Sequence, residues 1–324
     1  MKSVKTYLYG PVPSRRLGLS LGVDIVPFKT CTLDCVYCQL GKTPRQTVQR
    51  KEYVGVEEVL AELKTRLDRG LEADYITIGG SGEPTLHSGL GRLIEGIKKL
   101  TTIPVALLTN GTLFYLPEVR ADCACADVIL PSLDAGDQQT FDKVNRPHTE
   151  ITFERLVDGL CALRSEYKGR IWLEVFCIER FNTDNTEIAR LAEAIRKIGP
   201  DKVHLNTAVR PTAEPGIEKV PPEKLVEIAR RLGPNCEVIA DYLSSHCGKV
   251  WHGHLGRDFT GWKPVPQVTQ TLLSMLKRRP CSLDDVCSAL GLDPAETIKY
   301  LDDLKKRGLI LSENKGPKTF YRAG

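Results

Sequence analysis

The sequence predicts an α/β protein built on a parallel sheet, followed by a smaller second unit. Six short β-branched or aliphatic runs alternate with stretches whose apolar residues recur every three or four positions, the signature of strands joined by helices. The strand cores are continuous apolar runs, as expected when helices cover a sheet. Glycines and polar residues gather just after each strand, at the edge where parallel α/β folds build their sites. Either a doubly wound sheet or an incomplete (β/α)6 barrel satisfies this pattern, and periodicity does not separate them.

Taken in order, the opening YGPVPSRRLG (9–18) is rich in Pro and Gly and predicts an ordered loop without regular structure. Arg15 and Arg16 within it read more readily as a solvated pair than as a grip on an anion. The apolar run 19–28 predicts the first parallel strand. Helix 56–71 carries Val56, Val59, Leu60, Leu63 and Leu67 on one face and leads to strand 75–78 and the turn Gly79-Gly80-Ser81-Gly82-Glu83-Pro84. Helix 90–100 leads to strand 105–108 and Thr109-Asn110-Gly111, and a helical stretch 115–123 leads to strand 128–130 and Ser132-Leu133-Asp134. Helix 153–167 precedes strand 171–176, and helix 187–198 precedes strand 203–207. Strands separated by helices imply right-handed crossovers between parallel neighbours.

The loop after the first parallel strand holds the chemistry. Cys31, Cys35 and Cys38 stand in C-x3-C-x2-C spacing within CTLDCVYC. Thr32 and Asp34 make this loop polar, so burial as small apolar residues explains it poorly, whereas a metal or cluster site explains three sulfurs in eight residues. Four-iron clusters are normally held by four thiolates, so three would leave one iron open. An open metal position is where chemistry happens.

This motif, with Tyr37 directly before the last cysteine, resembles the signature of the radical S-adenosylmethionine (radical SAM) superfamily. The resemblance implies the superfamily's partial barrel, a [4Fe-4S] cluster on Cys31, Cys35 and Cys38, and SAM chelating the fourth iron. It further implies an external one-electron donor of flavodoxin or ferredoxin type and reductive cleavage of SAM to a 5′-deoxyadenosyl radical. Glycines after a strand admit a ligand close to the backbone. By the resemblance, Gly80, Gly82, Glu83 and Pro84 form the region that binds the methionyl amine. Asn110, Ser132 and Asp134 would meet the ribose and carboxylate, while Asn206 and Tyr37 would lie near the adenine. Asp134 equally suits the cap of a following helix.

Within the superfamily, GPVPSRRLG, GEPTL, NRPH and RFN look most like the branch of wyosine-type tRNA-modifying (4-demethylwyosine synthase-like) proteins. No cysteine precedes Cys31, where the wyosine-forming enzyme has a further set, so the SAM chemistry carries over and the substrate does not. Candidate substrate contacts are Arg146, Glu174, Asn182 and Arg210, with structural ion pairing the plain alternative for each charged one.

At 324 residues and 41% hydrophobic, the chain is long enough for a large core plus an appendage. No run approaches about 18 apolar residues, and the start lacks a signal peptide's apolar centre, so a cytoplasmic protein is expected. Its eleven cysteines, an odd number, favour thiols and cluster ligands over disulfides. The net charge of +4 does not by itself imply nucleic acid. Cys236 and Cys247, with His246, His252 and His254, are dense in ligand types but match no standard zinc spacing. Residues 1–262 are expected to form the core and its cover.

A proline-bearing linker then leads to residues 265–324, where helix–turn–helix and hairpin signals resemble a winged helix. From Val265 onward there are ten Lys and Arg against seven Asp and Glu. The expected recognition helix nevertheless bears Glu296, Asp302 and Asp303, which repel phosphate, so DNA is an unfavoured partner. Docking of a substrate, RNA or protein, fits better. The alternative is a cluster-bearing redox regulator that reads DNA. It needs no SAM pocket and would call for a more basic recognition helix.

Overall fold

The computed structural model describes residues 6–240 and 266–324, apart from Pro317. One eight-stranded sheet organises the first part: β1 (Leu8–Ser14), β2 (Gly18–Val23), β3 (Tyr75–Ile78), β4 (Val105–Leu108), β5 (Val128–Leu130), β6 (Arg170–Cys177), β7 (Lys202–Thr207) and β8 (Cys236–Val238). Its spatial order follows the sequence from β1 to β8 without reversal. β1 runs antiparallel to β2, and every later neighbour is parallel. A doubly wound sheet reverses its order at a switch point, and here there is none. With right-handed crossovers throughout, the connecting helices fall on one face of the sheet. They are α1 (Val56–Asp68), α2 (Leu90–Leu100), α3 (Pro117–Cys123), α4 (Gln138–Val144), α5 (Phe153–Glu166), α6 (Asn185–Ile198) and α7 (Pro222–Leu232).

The two-residue period of a strand sorts side chains between the faces. Ile76, Ile78, Leu107, Ile129, Leu173, Val175, Val203 and Leu205 join the main core under the helices. On the other face Ala106, Val128, Leu130 and Trp172 form a smaller apolar floor. Two residues beyond Trp172 in β6, Glu174 projects from that same face, and Asn206 of β7 reaches it. Burial on both faces is why the strands read as unbroken apolar runs.

The opening segment departs from expectation, because residues 8–14 form strand β1 despite Pro11 and Pro13. An edge strand needs only one ladder, so it tolerates missing amides. Its register slips between Tyr9 and Val12, where Gly10 sits at φ 89°. β8 is three residues long and α4 seven, too short to stand out by periodicity. Arg15, in the turn after β1, donates to the carbonyls of Ile239 (3.2 Å) and Ala240 (3.1 Å), just past β8. One side chain thus spans from one edge of the sheet to the other.

Six further elements follow: α8 (Pro266–Leu276), β9 (Cys281–Ser282), α9 (Leu283–Leu290), α10 (Pro294–Lys306), β10 (Ile310–Lys315) and β11 (Lys318–Ala323). The strands form an antiparallel sheet in the order β10-β11-β9. Ser282 and Asp285 make a capping box for α9, Gly291 ends it in the left-handed conformation, and Asp293 caps α10 with Pro294 at its first position. Leu272, Met275, Val286, Leu301 and Leu304 share a core with Val12 of β1. Arg278 stacks on Tyr9 at 4.4 Å and bonds Asp24 at 3.0 Å, and Arg210 pairs with Asp285 at 2.9 Å. The unit is therefore fixed to the hairpin edge of the larger sheet.

Candidate functional site

The cysteine loop starts where β2 ends at Val23, and its backbone is tied down on both sides. Asp34 N–H bonds the carbonyls of Asn145 (3.1 Å) and Arg146 (3.2 Å), and Val36 N–H bonds that of Val144 (3.0 Å). Glu83 N–H bonds the Thr30 carbonyl at 2.9 Å. Such pairing orders a loop of irregular conformation.

Each cysteine sulfur accepts from a different side chain. Asn110 Nδ2 lies 3.5 Å from Cys31 Sγ, Asn145 Nδ2 3.4 Å from Cys35 Sγ, and Lys29 Nζ 3.0 Å from Cys38 Sγ. Burial pushes the Cys31 thiol up to about 12, helped by the nearby Glu83 charge. Burial also carries Cys35 well above the ordinary range, with Asp134 and the other two cysteines adding to it. Thiols in this setting ionise when a metal takes up their charge. Among the described residues no three His, Cys, Asp or Glu side chains converge on a single-ion position, the three cysteines included. A four-iron cluster spaces its thiolates more widely than one ion does, and three sulfurs each met by an N–H donor suit it.

The glycine turn after β3 packs directly on this loop. A Cβ on Gly82 would stand 2.1 Å from the Thr30 carbonyl oxygen, and one on Gly80 would stand 2.8 Å from the Asp24 carboxyl carbon. Only glycine permits that approach. Pro84 opens a single 3-10 turn, Pro84–Leu86. Glu83 is buried and its carboxylate accepts from Thr85 N (3.0 Å), Thr85 Oγ1 (2.6 Å), Thr109 Oγ1 (2.6 Å) and Asn110 N (2.7 Å). Burial raises its pKa against these four bonds. Glu83 is thereby a brace between the ends of β3 and β4, and it sets Asn110 beside Cys31.

A second brace stands on the far side of the loop. Asp134, buried after β5, accepts from Tyr37 Oη, from Asn145 Nδ2 at 2.8 Å and from Phe176 N at 2.8 Å. Burial raises it to about 6 against those bonds, which hold it lower than burial alone would. The Tyr37 ring stacks on Phe176 with centroids 4.0 Å apart, so one of its faces is already covered. Ser132 bridges to Glu174 between β5 and β6. Glu174 pairs with Arg16 and accepts from Asn206 Nδ2 at 2.8 Å, and Asn206 Oδ1 accepts from Arg15 at 3.1 Å. Burial acts to raise Glu174, but the Arg16 charge, the Asn206 bond and Arg15 outweigh it and hold the carboxylate low.

The structure therefore gathers Tyr37, Gly80, Gly82, Glu83, Pro84, Asn110 and Asp134 around the cysteines, with Ser132, Glu174 and Asn206 in the next rank. Arg146 stays at the exposed rim, paired with Glu214 at 2.7 Å. Asn182 is fully buried and uses its amide on Asp134 O, Phe176 O and Ile178 N, so it braces the wall. Arg210 is buried and turned to Asp285 of α9, away from the cysteines. Arg15 and Arg16 are half-buried partners of Asn206 and Glu174, correcting their reading as a solvated pair. Sequence reasoning passed over Lys29 and Asn145. Asn145 sits in the NRPH run that was noticed, whereas a buried lysine at φ 56° leaves no sequence signal. Cys236 lies in β8, while Cys247, His246, His252 and His254 fall outside the described residues.

An open parallel sheet with a three-cysteine loop at its first parallel strand and a glycine turn at the second marks a cluster-bearing class of protein. The chain belongs to the radical SAM superfamily, whose family model matches residues 25–192. Members of that superfamily are enzymes that use a [4Fe-4S] cluster and SAM and generally need an external electron donor. The chain is 34% identical over 246 residues to a UPF0026 protein of Methanocaldococcus jannaschii, covering 75% of each. It is 42% identical over 306 residues to a Brachyspira hyodysenteriae protein named GTPase Obg, covering 94% of this chain but only 43% of that one. This chain contains no G-x4-G-K-[ST] run, the loop that cradles nucleotide phosphates. Among solved structures, a radical SAM methyltransferase from Sphaerobacter thermophilus shares the fold with a TM-score of 0.53 at 17% identity, over 68% of this chain and 65% of that one. Among the described residues no helix is long and apolar enough to cross a membrane.

Proposed function

We propose that this chain is a radical SAM enzyme acting on a substrate drawn from RNA or protein, with Cys31, Cys35 and Cys38 as the cluster ligands. The observation that carries the reading is the trio of sulfurs, each met by an N–H donor from a separate segment. When bound, the cluster and SAM supply an electron and a 5′-deoxyadenosyl radical. The protein's share is placement. Glu83 holds Asn110 at the Cys31 side, Asp134 holds Tyr37 and Asn145 at the Cys35 side, and Lys29 approaches Cys38. Gly80, Gly82 and Pro84 shape the wall for the methionyl end of SAM, and Ser132, Asn206 and Tyr37 face its nucleoside end. Arg146 and Glu174 remain as substrate contacts, at the rim and on the inner face. A flavodoxin or ferredoxin is the electron donor in this reading, and the cytosol suits its thiols.

We read the sheet as the superfamily's partial barrel within residues 1–262, and residues 265–324 as a winged helix. The order α8-β9-α9-α10-β10-β11 and the capping of α9 and α10 support the latter. The kinship with wyosine-type proteins rests on the GPVPSRRLG, GEPTL, NRPH and RFN runs. The test is anaerobic reconstitution with iron and sulfide, addition of dithionite and SAM, and assay for 5′-deoxyadenosine. Its formation supports the enzyme, and a stable cluster that leaves SAM intact rejects it.

A further inference from the structure

We infer that Arg278 of the C-terminal unit is a positioning residue for the SAM site. It holds Tyr9 and Asp24, two side chains that grip Gly79, Gly80 and Ser81 in the turn after β3.

Asp24 stands just past β2 and is buried. Its Oδ1 accepts from Ser81 N at 3.1 Å and its Oδ2 from Ser81 Oγ at 2.5 Å. Gly80 lies against the same carboxyl group, as its missing Cβ shows. Tyr9 of β1 donates from Oη to the Gly79 carbonyl at 3.0 Å. Its ring covers Gly22 of β2, where a Cβ would stand 2.0 Å from Cζ. The turn is tied in its own right to the cysteine loop: the Ser81 carbonyl accepts from Lys29 N at 2.7 Å, and Lys29 Nζ reaches Cys38.

Arg278 meets both grips from beyond α8. Its Nη1 is anchored on Ser274 O at 2.9 Å and Ser274 Oγ at 3.0 Å. Its Nε donates to Asp24 Oδ2 at 3.0 Å, and its guanidinium covers the Tyr9 ring at 4.4 Å. Among the described residues it is the cation paired with Asp24, and its side chain is 12% exposed. A buried carboxylate deprived of its cation bears the full cost of desolvation unless it swings toward water. That swing takes Asp24 off Ser81, and the cation–π contact that steadies Tyr9 on Gly79 is lost with it. A wall that receives a ligand close to its backbone must be held to within about 0.5 Å. The C-terminal unit thus stiffens a turn that belongs to the larger sheet. That this turn faces SAM rests on the enzyme reading above, whereas the stiffening does not.

The test is hydrogen–deuterium exchange on the full chain without cluster or SAM, read by mass spectrometry over residues 79–86. Arg278→Met is expected to speed exchange there about tenfold or more, with residues 173–175 of β6 unchanged. Arg307→Met breaks an exposed pair with Asp303 in the same unit and should leave the turn as in wild type. Combining Arg278→Met with Asp24→Asn should restore most of the protection. Asn accepts from Ser81 N and donates to Ser81 Oγ with no charge to compensate. In reconstituted protein, Arg278→Met should raise the SAM concentration for half-maximal 5′-deoxyadenosine formation about tenfold and leave the maximal rate within about twofold. Unchanged exchange in Arg278→Met, loosening that extends equally to β6, no recovery in the paired variant, or an unchanged SAM dependence in an active enzyme overturns the proposal. A wild type that forms no 5′-deoxyadenosine rejects the enzyme reading alone, because the exchange is measured without SAM.

Discussion

The cysteine mouth and the seam between the larger sheet and the C-terminal unit are held by opposite means. Around the cysteines the contacts are amides, hydroxyls and two buried carboxylates satisfied by hydrogen bonds, and among the described residues Lys29 is the single cation on a cluster-loop sulfur. Across the seam the contacts are guanidinium–carboxylate pairs, Arg278 with Asp24 at 3.0 Å and Arg210 with Asp285 at 2.9 Å. A mouth that takes in a charged cluster and a sulfonium cofactor is best built from fixed dipoles, whose fields need no counterion. A seam between two units is instead fixed by ion pairs that carry their own counter-charge.

If the mouth is a cluster site, its most drastic break is Cys35→Ala. That variant is expected to lose cluster assembly altogether, read as iron and acid-labile sulfide, while its far-UV circular dichroism is kept. Retained cluster in this variant would remove Cys35 as a ligand.

Glu83→Ala tests the brace. It leaves buried donors from Thr85, Thr109 and Asn110 without an acceptor, and we expect a loss of about 3 kcal/mol in urea unfolding. A loss below about 1 kcal/mol would mean these groups re-pair easily.

Next to the mouth, Arg16→Met strips the partner of Glu174 and should cost roughly 2–3 kcal/mol at pH 7. Glu174 is held below its unfolded value of about 4.3, so its pairing contributes fully above that pH and fades as pH falls through the folded value. The difference between Arg16→Met and wild type should therefore shrink in acid. A difference that stayed constant down to pH 3 would contradict the pairing.

The smallest effect is expected for Lys29→Met. Removing a cation from Cys38 destabilises the reduced cluster, and its midpoint potential should drop by on the order of 50 mV, about 1 kcal/mol for one electron. An unchanged or higher potential would show that Lys29 does not act on the cluster.

The two regions also differed in how far the sequence exposed them. C-x3-C-x2-C, GGSGEP and the alternation of strand and helix are local patterns, and they located the loop, the turn and six of the eight strands. Strand β1 was not legible, because Pro11 and Pro13 count against a strand until it is known to lie at an edge. The pairing of Arg16 with Glu174 spans 158 residues and that of Arg210 with Asp285 spans 75, and no local spacing announces either. Nor does composition reveal that Asn182 is consumed by the wall it supports.

The most direct test of the central claim is the electron paramagnetic resonance spectrum of the dithionite-reduced, reconstituted protein, recorded before and after adding SAM. If three cysteines leave one iron for the cofactor, the cluster signal changes in g-values and shape on addition. An identical spectrum with and without SAM would contradict the account.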